Sequence, residues 1–199
     1  MGKYRMINWT DFMMYVRYYM KTVYLAYLKT LKGLDYTGRI EDFHTQLKGY
    51  EGCYPVHAVL RKLAIVPSDS VLDIGCGKGL FLYYATAFDF GCIDGIEYAD
   101  SLVQTAKKNA SILSDVRLHI FHQDARVYDN YGKYNYFFIN NPFSAEIMEK
   151  VAEEIERSAL LHARKITVIY QFPFHKDVFL KKGFTLRYEK FPNVVLTLN

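Results

Sequence analysis

The 199-residue chain lacks the residue patterns of several common protein classes. It has three cysteines, Cys53, Cys76 and Cys92, and no C-x-x-C pair, so neither a disulfide framework nor a zinc site is indicated. The N-terminus has no uninterrupted apolar core followed by a small-residue cleavage site, so we expect no signal peptide. These absences favour a protein of the reducing cytoplasm.

Long uncharged apolar segments are also missing. The one long apolar region, near the N-terminus, is interrupted by Arg17, Lys21, Lys29 and Lys32, so no membrane span is expected. The six histidines are scattered and define neither a catalytic triad nor a metal-ligand set, so no metal is predicted. The net charge of +4 permits a phosphate-bearing partner such as a nucleic acid, but does not require one.

The most informative stretch is Val71–Gly79, in which a buried strand runs into a glycine-rich turn. The apolar run from Leu80 to Ala87 follows it, so the order strand, tight turn and helix is predicted. Such a turn lets a nucleotide-like ligand lie against the backbone. A dinucleotide-binding turn needs its third glycine three residues after the second, where Leu80 stands. The spacing therefore argues against NAD.

The Asp-x-Gly-x-Gly-x-Gly pattern resembles the first motif of the class I S-adenosylmethionine (SAM) methyltransferases. The resemblance implies that the turn faces the methionine part of SAM and that the acid at the head of the motif lies close to it. An ordinary strand, turn and helix with chance glycines is the alternative. The cofactor contacts implied here are Asp73, Gly75, Cys76, Gly77 and Gly79.

Two further acids occur at or just after the ends of the next two predicted strands. Glu97 ends the next predicted strand, 18 residues after Gly79, where a carboxylate is placed to accept hydrogen bonds from ribose hydroxyls. Its surroundings resemble the second family motif, and Tyr98 beside it is included among the cofactor contacts. Asp124 and Ala125 follow the third strand and resemble the motif whose Asp accepts from the adenine amino group. The alternative for Asp124 is an acid that caps a turn.

The segment before the glycine turn contains Tyr54 and Pro55, which fits the first turn of a helix running to about Ile65. Because this segment enters just before the first strand, it is placed to cover the cofactor. Tyr54 is the natural aromatic contact of a sulfonium. A tyrosine packed locally in a loop is the alternative.

The predicted fourth strand, from Tyr134 to Ile139, ends in four residues that we predict to be catalytic. In open α/β sheets the ligand crevice lies outside the carboxyl ends of the strands, so these residues border the reacting methyl group. They resemble the Asn-Pro-Pro-Tyr/Phe motif of amino-nitrogen methyltransferases, in which the Asn orients the target NH₂ and the aromatic residue stacks on a planar substrate. The predicted catalytic residues are Asn140, Asn141, Pro142 and Phe143.

This motif differs from the family pattern at one position, since Asn141 stands where the first proline is usual. Asn140 and Asn141 also resemble the Asn-Asn-Phe motif of the DOT1-type lysine methyltransferases. A turn with no substrate role is the third interpretation, because Asn and Pro favour turns. Asn140 is counted among the cofactor contacts as well.

The N-terminal region lies outside the family pattern. From Asp11 to about Gly33 apolar residues recur at helical spacing, and no acid occurs between Asp11 and Asp35. We favour an extra helix that packs on the main domain with its lysines solvated, because basic helical faces are usually only solvated. A basic, aromatic surface for nucleic acid is the alternative. The predicted inward stripe is Phe12, Val16, Tyr19, Val23, Tyr27 and Leu31.

Together these features predict an α/β fold, a seven-stranded doubly wound and mostly parallel sheet with an N-terminal helical extension. Residues 1–50 form the extension and residues 51–199 the SAM-dependent methyltransferase domain. The predicted activity is transfer of a methyl group from SAM to an unidentified protein, RNA or small molecule, at nitrogen. The alternative is a SAM-binding or RNA-binding module without catalytic turnover.

Overall fold

The computed structural model describes residues 9–40, 50–140 and 143–199. Helices and strands alternate along most of this part of the chain. The helices are α1 (Trp9–Lys32), α2 (His57–Leu60), α3 (Leu80–Ala85), α4 (Asp100–Leu113), α5 (Ala145–Leu161) and α6 (Lys176–Lys181). The strands are β1 (Arg39–Ile40), β2 (Tyr50–Glu51), β3 (Ser70–Ile74), β4 (Cys92–Glu97), β5 (Leu118–His122), β6 (Tyr136–Ile139), β7 (Ile166–Gln171), β8 (Thr185–Lys190) and β9 (Asn193–Leu198).

Seven of these strands form one sheet in the order β5-β4-β3-β6-β7-β9-β8. Strands β3 to β7 are parallel, and β9 runs antiparallel to both of its neighbours. The chain order reverses on either side of β3, so the ligand crevice is expected at the carboxyl ends of β3, β4 and β6. The predicted seven-stranded, mostly parallel sheet is confirmed.

The core lies on both faces of the sheet, as expected when helices cover both sides of parallel strands. All four residues of β6 are buried. On one face Phe81 stacks on Phe138 with ring centroids 3.9 Å apart, which fixes α3 over the centre of the sheet. On the other face Met148, Val151 and Ile155 of α5 pack against the same strands. The glycine turn between β3 and α3 is thereby held from two sides.

The helix predicted from Pro55 to Ile65 is much shorter, since α2 covers only His57–Leu60. The N–H of Lys62 then donates to the carbonyl of Val59, three residues earlier, in a 3₁₀-type hydrogen bond. Bonds of this three-residue span end an α-helix rather than continue it. The prediction was therefore right about the position of the helix and wrong about its length.

The face of α1 that packs on the domain is not the predicted one. Lys21, Leu25 and Leu28 point inward and are buried, and they follow helical spacing. The predicted stripe faces outward instead from Val16 to Leu31, with Tyr19 and Leu31 strongly exposed, while the side chain of Phe12 lies outside the described part of the structure. Apolar residues occur all around α1, so the pattern alone does not fix its rotation. The exposed tyrosines match the alternative of an aromatic, basic surface, which stays a prediction. In the described part of the chain, no helix combines the length and apolar character that crossing a membrane requires.

The segment after α1 is bound to the glycine turn. The backbone N–H of Asp35 donates to Asn109 Oδ1 (2.9 Å), and Asn109 Nδ2 donates to the carbonyls of Asp35 and Lys78 (2.9 and 3.0 Å). Lys78 Nζ in turn donates to the carbonyl of Thr37 (2.6 Å). The extension thus packs directly on the residues that form the crevice. The predicted boundary at residue 50 stays a prediction.

Candidate functional site

The glycine turn is folded against the end of β4. Gly75, Gly77 and Gly79 all have positive φ angles (74°, 55° and 82°), a region that only glycine reaches without strain. The N–H groups of Gly75 and Cys76 both donate to the carbonyl of Ile96, at 3.0 and 2.9 Å. The turn therefore presents its backbone at the carboxyl ends of β3 and β4, as the sequence predicts.

Gly95 in β4 is needed for this packing. A Cβ atom at Gly95 would lie 2.8 Å from Leu82 Cδ1 and 2.9 Å from both Cβ and Sγ of Cys76. Such contacts are too short, so any side chain here would push α3 and the turn away from the sheet. Gly95 thus sets how closely the crevice wall approaches β4.

Glu97 at the end of β4 organises the crevice. Its Oε2 accepts from the backbone N–H of Gly77 and its Oε1 accepts from that of Ala99, both at 2.9 Å. A carboxylate oxygen can accept a second hydrogen bond, so both oxygens retain capacity for hydroxyl donors. Glu97 both holds the glycine turn and offers acceptors to a ligand.

Asp73 is the most unusual side chain of the crevice. It is 2% exposed and forms no hydrogen bond or ion pair with any residue in the described ranges. Burial and, after it, the charge of Glu97 raise its pKa well above the usual range. Burial followed by the charges of Asp73 and Glu97 also raises the pKa of the Cys76 thiol. Two acids in so small a volume favour a cationic ligand.

Lys21 of α1 reaches this region, although the sequence pattern indicated a solvated side chain. It is 7% exposed, its Nζ donates to the carbonyl of Gly52, and it lies 4.6 Å from the ring centroid of Tyr54. Burial raises the pKa of the neighbouring Cys53 thiol, the charge of Asp73 raises it further, and the charge of Lys21 opposes them. The charge of Lys21 and the charge of an ionised Asp73 therefore act in opposite directions on the same buried thiol.

Tyr54 is held at the end of the fifth strand of the parallel set by a residue that sequence reasoning missed. Gln171, the last residue of β7, accepts from the N–H of Tyr54 through Oε1 (2.6 Å). Its Nε2 donates to the carbonyl of Tyr54 (3.3 Å) and to Asn193 Oδ1 (2.9 Å). The predicted cofactor contact is thus placed at the carboxyl edge of the sheet. A single polar residue at the end of a strand does not indicate, from sequence alone, which distant residue it binds.

Asp124, the predicted adenine contact, and the predicted cofactor contacts Tyr98 and Ala125 follow the ends of β4 and β5. Asp124 forms a two-bond pair with the guanidinium of Arg126 (3.0 and 2.5 Å) and also accepts from the N–H of Arg126. Its carboxylate therefore caps a turn, and this pairing lowers the pKa of Asp124. Tyr98 is exposed, and Ala125 is buried with its carbonyl bonded to Tyr131. The contact of Asp124 with adenine and the cofactor contacts of Tyr98 and Ala125 stay predictions.

The predicted catalytic residues begin where β6 ends. Asn140 is partly exposed at the carboxyl edge, whereas Asn141 and Pro142 lie outside the described residues. Phe143 is 8% exposed and packs in the core cluster with Met148 and Tyr128. Phe143 directly precedes Ser144, the N-cap residue of α5, and its side chain is buried there. In this conformation little of its ring is available to stack on a substrate.

In the described part of the chain, one group of side chains has the spacing of metal ligands. The ligand atoms of Cys92, Asp94 and His119 lie within 4.8 Å of one another. Both oxygens of Asp94 are already engaged, however, and the ammonium of Lys133 is 2.7 Å from Oδ2. The ammonium group of Lys133 thus balances the negative charge of the Asp94 carboxylate. The prediction that no metal is bound stays a prediction.

No protein-family model and no curated protein matches the sequence. Solved structures share its fold at low identity. The structure of ribosomal protein L11 methylase from Lactobacillus delbrueckii subsp. bulgaricus is 14% identical, with a TM-score of 0.57 over 82% of each chain. A SAM dependent methyltransferase from Aquifex aeolicus is 16% identical, with a TM-score of 0.54 over 70% of this chain and 87% of that one.

TrmN from Thermus thermophilus is 18% identical, with a TM-score of 0.54 over 73% of this chain. The match covers 48% of TrmN, so this chain spans about half of its length. Similarity at these identities establishes the fold. The chain has the class I SAM-dependent methyltransferase fold, which confirms the resemblance found in its glycine turn.

Proposed function

We propose that the crevice binds SAM and that the chain transfers the methyl group of SAM to a nitrogen acceptor. The observation that carries this proposal is the buried carboxylate of Asp73, which has no donor among the described residues and lies beside Glu97. SAM offers such a site a sulfonium, an α-ammonium group and two ribose hydroxyls. The pyrophosphate of NAD would instead be repelled by the two acids.

Different side chains of the crevice bind different parts of SAM. Asp73 faces the α-ammonium group and Lys21 the α-carboxylate, so a buried pair of opposite charges recognises the zwitterionic end of SAM. Glu97 accepts from the ribose hydroxyls, while the glycine turn lets the cofactor approach the backbone. Tyr54 contacts the sulfonium. At the adenine end lie Tyr98, Asp124 and Ala125.

SAM supplies a methyl group that is already attached to a good leaving group. The chain therefore has to align the acceptor, exclude water and orient the N–H bonds of the acceptor. Asn140 directly follows β6, one of the strands whose carboxyl ends border the crevice, and its side-chain amide oxygen can orient an NH₂ group without adding charge. Because SAM already carries the leaving group and the chain only positions the acceptor, a strong general base is not needed.

Calorimetric titration with SAM, its demethylated product and NAD tests the cofactor assignment. We expect both adenosyl compounds to bind and NAD not to bind. Glu97→Ala should weaken SAM binding by about 1.5 kcal/mol, since a hydrogen bond to a charged group is lost. Glu149→Ala, an exposed acid of α5, is the matched control and should bind normally.

Binding of NAD without SAM would contradict the proposal. Tight SAM binding with no methyl transfer to RNA, protein or small-molecule extracts would instead support a SAM-binding module without turnover.

Replacing Lys21 by Met should lower the affinity for S-adenosylhomocysteine about tenfold, because a charge-assisted hydrogen bond to the carboxylate is lost. Methylthioadenosine lacks the amino-acid end, so its affinity should not change. Lys32→Met, at the exposed end of α1, is the control. Calorimetry with both ligands gives the comparison. An equal loss for both ligands would show that Lys21 only supports the fold.

A further inference from the structure

The outward side of α1 is an exposed apolar surface that takes no part in the crevice. Leu31, Tyr19 and Met20 are 71%, 68% and 62% exposed there. An extended apolar surface of this kind marks a site of interaction with a partner or a membrane. We define the outer face of α1 by the exposed side chains of Val16, Tyr19, Met20, Val23, Tyr27 and Leu31.

The packing of α1 fixes the direction of this outer face. Lys21, Leu25 and Leu28 are buried against the domain, and the two leucines belong to the core cluster that also contains side chains of α3. A helix turns by about 100° per residue, so Val23 projects almost opposite these buried residues. The domain therefore cannot cover the outer face while Leu25 and Leu28 stay in the core.

The exposed side chains of α1 are arranged by polarity. Val16, Met20 and Val23 lie along the middle of the outer face, whereas Arg17 and Lys29 project toward its two borders with the domain. At such borders the long stems of Arg and Lys can cover apolar surface while their charged ends reach polar groups. An aliphatic centre with cations on both borders is typical of a helix that lies in the plane of a membrane interface.

The charge of the N-terminal region is almost entirely of one sign. Residues 1–34 contain six Lys and Arg residues and one acid, Asp11. The next acid, Asp35, is shared between Lys29 (3.2 Å) and Lys78 (3.6 Å). A helix with this excess of cations is attracted to an anionic partner, and each Lys or Arg near an anionic membrane surface strengthens the attraction.

We propose that the outer face of α1 binds the surface of a bilayer that contains anionic lipids. The helix lies parallel to the bilayer, its aliphatic centre enters the boundary between headgroups and acyl chains, and the cations at its borders contact the lipid phosphates. Its tyrosines have the apolar ring and polar hydroxyl that suit this interface. Lys21 projects from the other side of α1, so the bilayer and the cofactor contact different sides of one helix.

Two other occupants match the outer face less well. Helices that pair through an apolar seam carry charges of both signs beside it, which form salt bridges across the pair. Residues 12–34 contain cations and no acid, so a second copy of α1 would be repelled. Surfaces for single-stranded nucleic acid combine stacking rings with a cationic groove. The aliphatic centre formed by Val16, Met20 and Val23 gains from burial in lipid instead.

Cosedimentation of the full chain with vesicles tests the proposal. We expect binding to vesicles of equal parts phosphatidylcholine and phosphatidylglycerol, and weaker binding to phosphatidylcholine alone. Met20→Ser combined with Val23→Ser should lower the affinity for the anionic vesicles about tenfold or more, because two aliphatic side chains lose their burial. Leu160→Ser combined with Leu161→Ser is the matched control, since it changes two exposed aliphatic residues of α5 on the opposite face of the sheet.

The electrostatic part is tested by a second pair of substitutions. Arg17→Gln combined with Lys32→Gln should lower the affinity for the anionic vesicles about tenfold or more and leave binding to phosphatidylcholine unchanged. Lys150→Gln combined with Lys165→Gln removes two exposed cations at α5 and just before β7, and should bind like the wild type. Because all these side chains are exposed, urea denaturation should give the wild-type midpoint for every variant.

Several results would overturn the proposal. One is a wild type that does not bind the anionic vesicles, and another is equal binding by the wild type and both α1 variants. A dimer in lipid-free sedimentation equilibrium that Met20→Ser with Val23→Ser dissociates, without vesicle binding, would assign the face to a second copy. Weakened binding of single-stranded RNA in that variant, without vesicle binding, would assign it to nucleic acid. Calorimetry of S-adenosylhomocysteine on the same variants should be unchanged and tests the proposed function separately.

Discussion

Replacing Asp94 by alanine is expected to lower the free energy of unfolding by about 2–4 kcal/mol. Asp94 is fully buried in β4 and accepts from four groups. Lys133 Nζ and Tyr134 Oη approach Oδ2 at 2.7 and 2.6 Å, and Cys92 Sγ and His119 Nδ1 approach Oδ1 at 3.1 and 3.0 Å. The substitution leaves the buried Tyr134 hydroxyl without its acceptor, and the half-exposed Lys133 and His119 lose theirs at the edge of the site. Urea denaturation measures the difference.

A matched control exists nearby. Asp129 is exposed, and its carboxylate accepts from the side chain of Asn130. Asp129→Ala should change the free energy of unfolding by less than about 0.5 kcal/mol, as is usual for exposed sites. Equal stabilities of Asp94→Ala and Asp129→Ala would show that the four hydrogen bonds contribute nothing net.

The stability contributed by Asp94 should depend on pH in a defined direction. Burial alone would raise its pKa, but hydrogen bonds from Lys133, Tyr134, Cys92 and His119 together lower it below the usual value. The folded state thus favours the ionised form, so the contribution is present above the unfolded pKa of about 3.9 and is lost as pH falls through the folded value. The difference between wild type and Asp94→Ala should narrow below about pH 4. A constant difference from pH 7 to pH 3 would contradict this assignment.

The sheet and the glycine turn at its carboxyl edge could be predicted because their signals are local. The glycine turn needs positive φ angles within five residues, and Glu97 follows it at a fixed distance along the next strand. Each strand is an apolar run bounded by turn residues. In a doubly wound sheet the strand ends meet at one edge, so short motifs in sequence order are sufficient to place the candidate site.

Lys21 and Gln171 could not be predicted because their partners are distant in sequence. Lys21 lies on a helix with apolar residues on every side, so only the packing of Leu25 and Leu28 decides which face turns inward. Gln171 binds Tyr54, 117 positions earlier in the chain. No period or motif encodes such a pair. The sequence therefore missed the inward position of Lys21 and the residue that holds the backbone of Tyr54.

The position of Asn140 at the end of β6 could be predicted, but the burial of Phe143 could not. Asn140 lies at the carboxyl end of β6, as expected, yet Phe143 is buried because the chain turns at once into α5. A partly exposed ring, Phe172, and an exposed ring, Phe191, lie in the segments after β7 and before β9. These residues belong to the closing antiparallel part of the sheet, whose position relative to β6 depends on tertiary packing.

Asn140→Ala is expected to lower turnover by about 10²-fold or more while leaving SAM affinity nearly unchanged. In the proposed mechanism the side-chain oxygen of Asn140 orients the N–H bonds of the acceptor, and loss of one orienting contact in a water-excluded site has an effect of this size. The loss should appear in kcat rather than in the calorimetric Kd for SAM. Asn130→Ala, an exposed asparagine in a distant loop, should retain full activity.

Mass spectrometry of the methylated product completes this test. A methyl group on nitrogen is expected, and a methyl group on carbon or on a hydroxyl oxygen would contradict the role given to Asn140. Asn141→Ala shows whether the neighbouring amide shares the task. Full activity in Asn140→Ala and Asn141→Ala alike would remove both asparagines from the mechanism, because a group that orients the reacting nitrogen cannot be deleted without slowing the transfer.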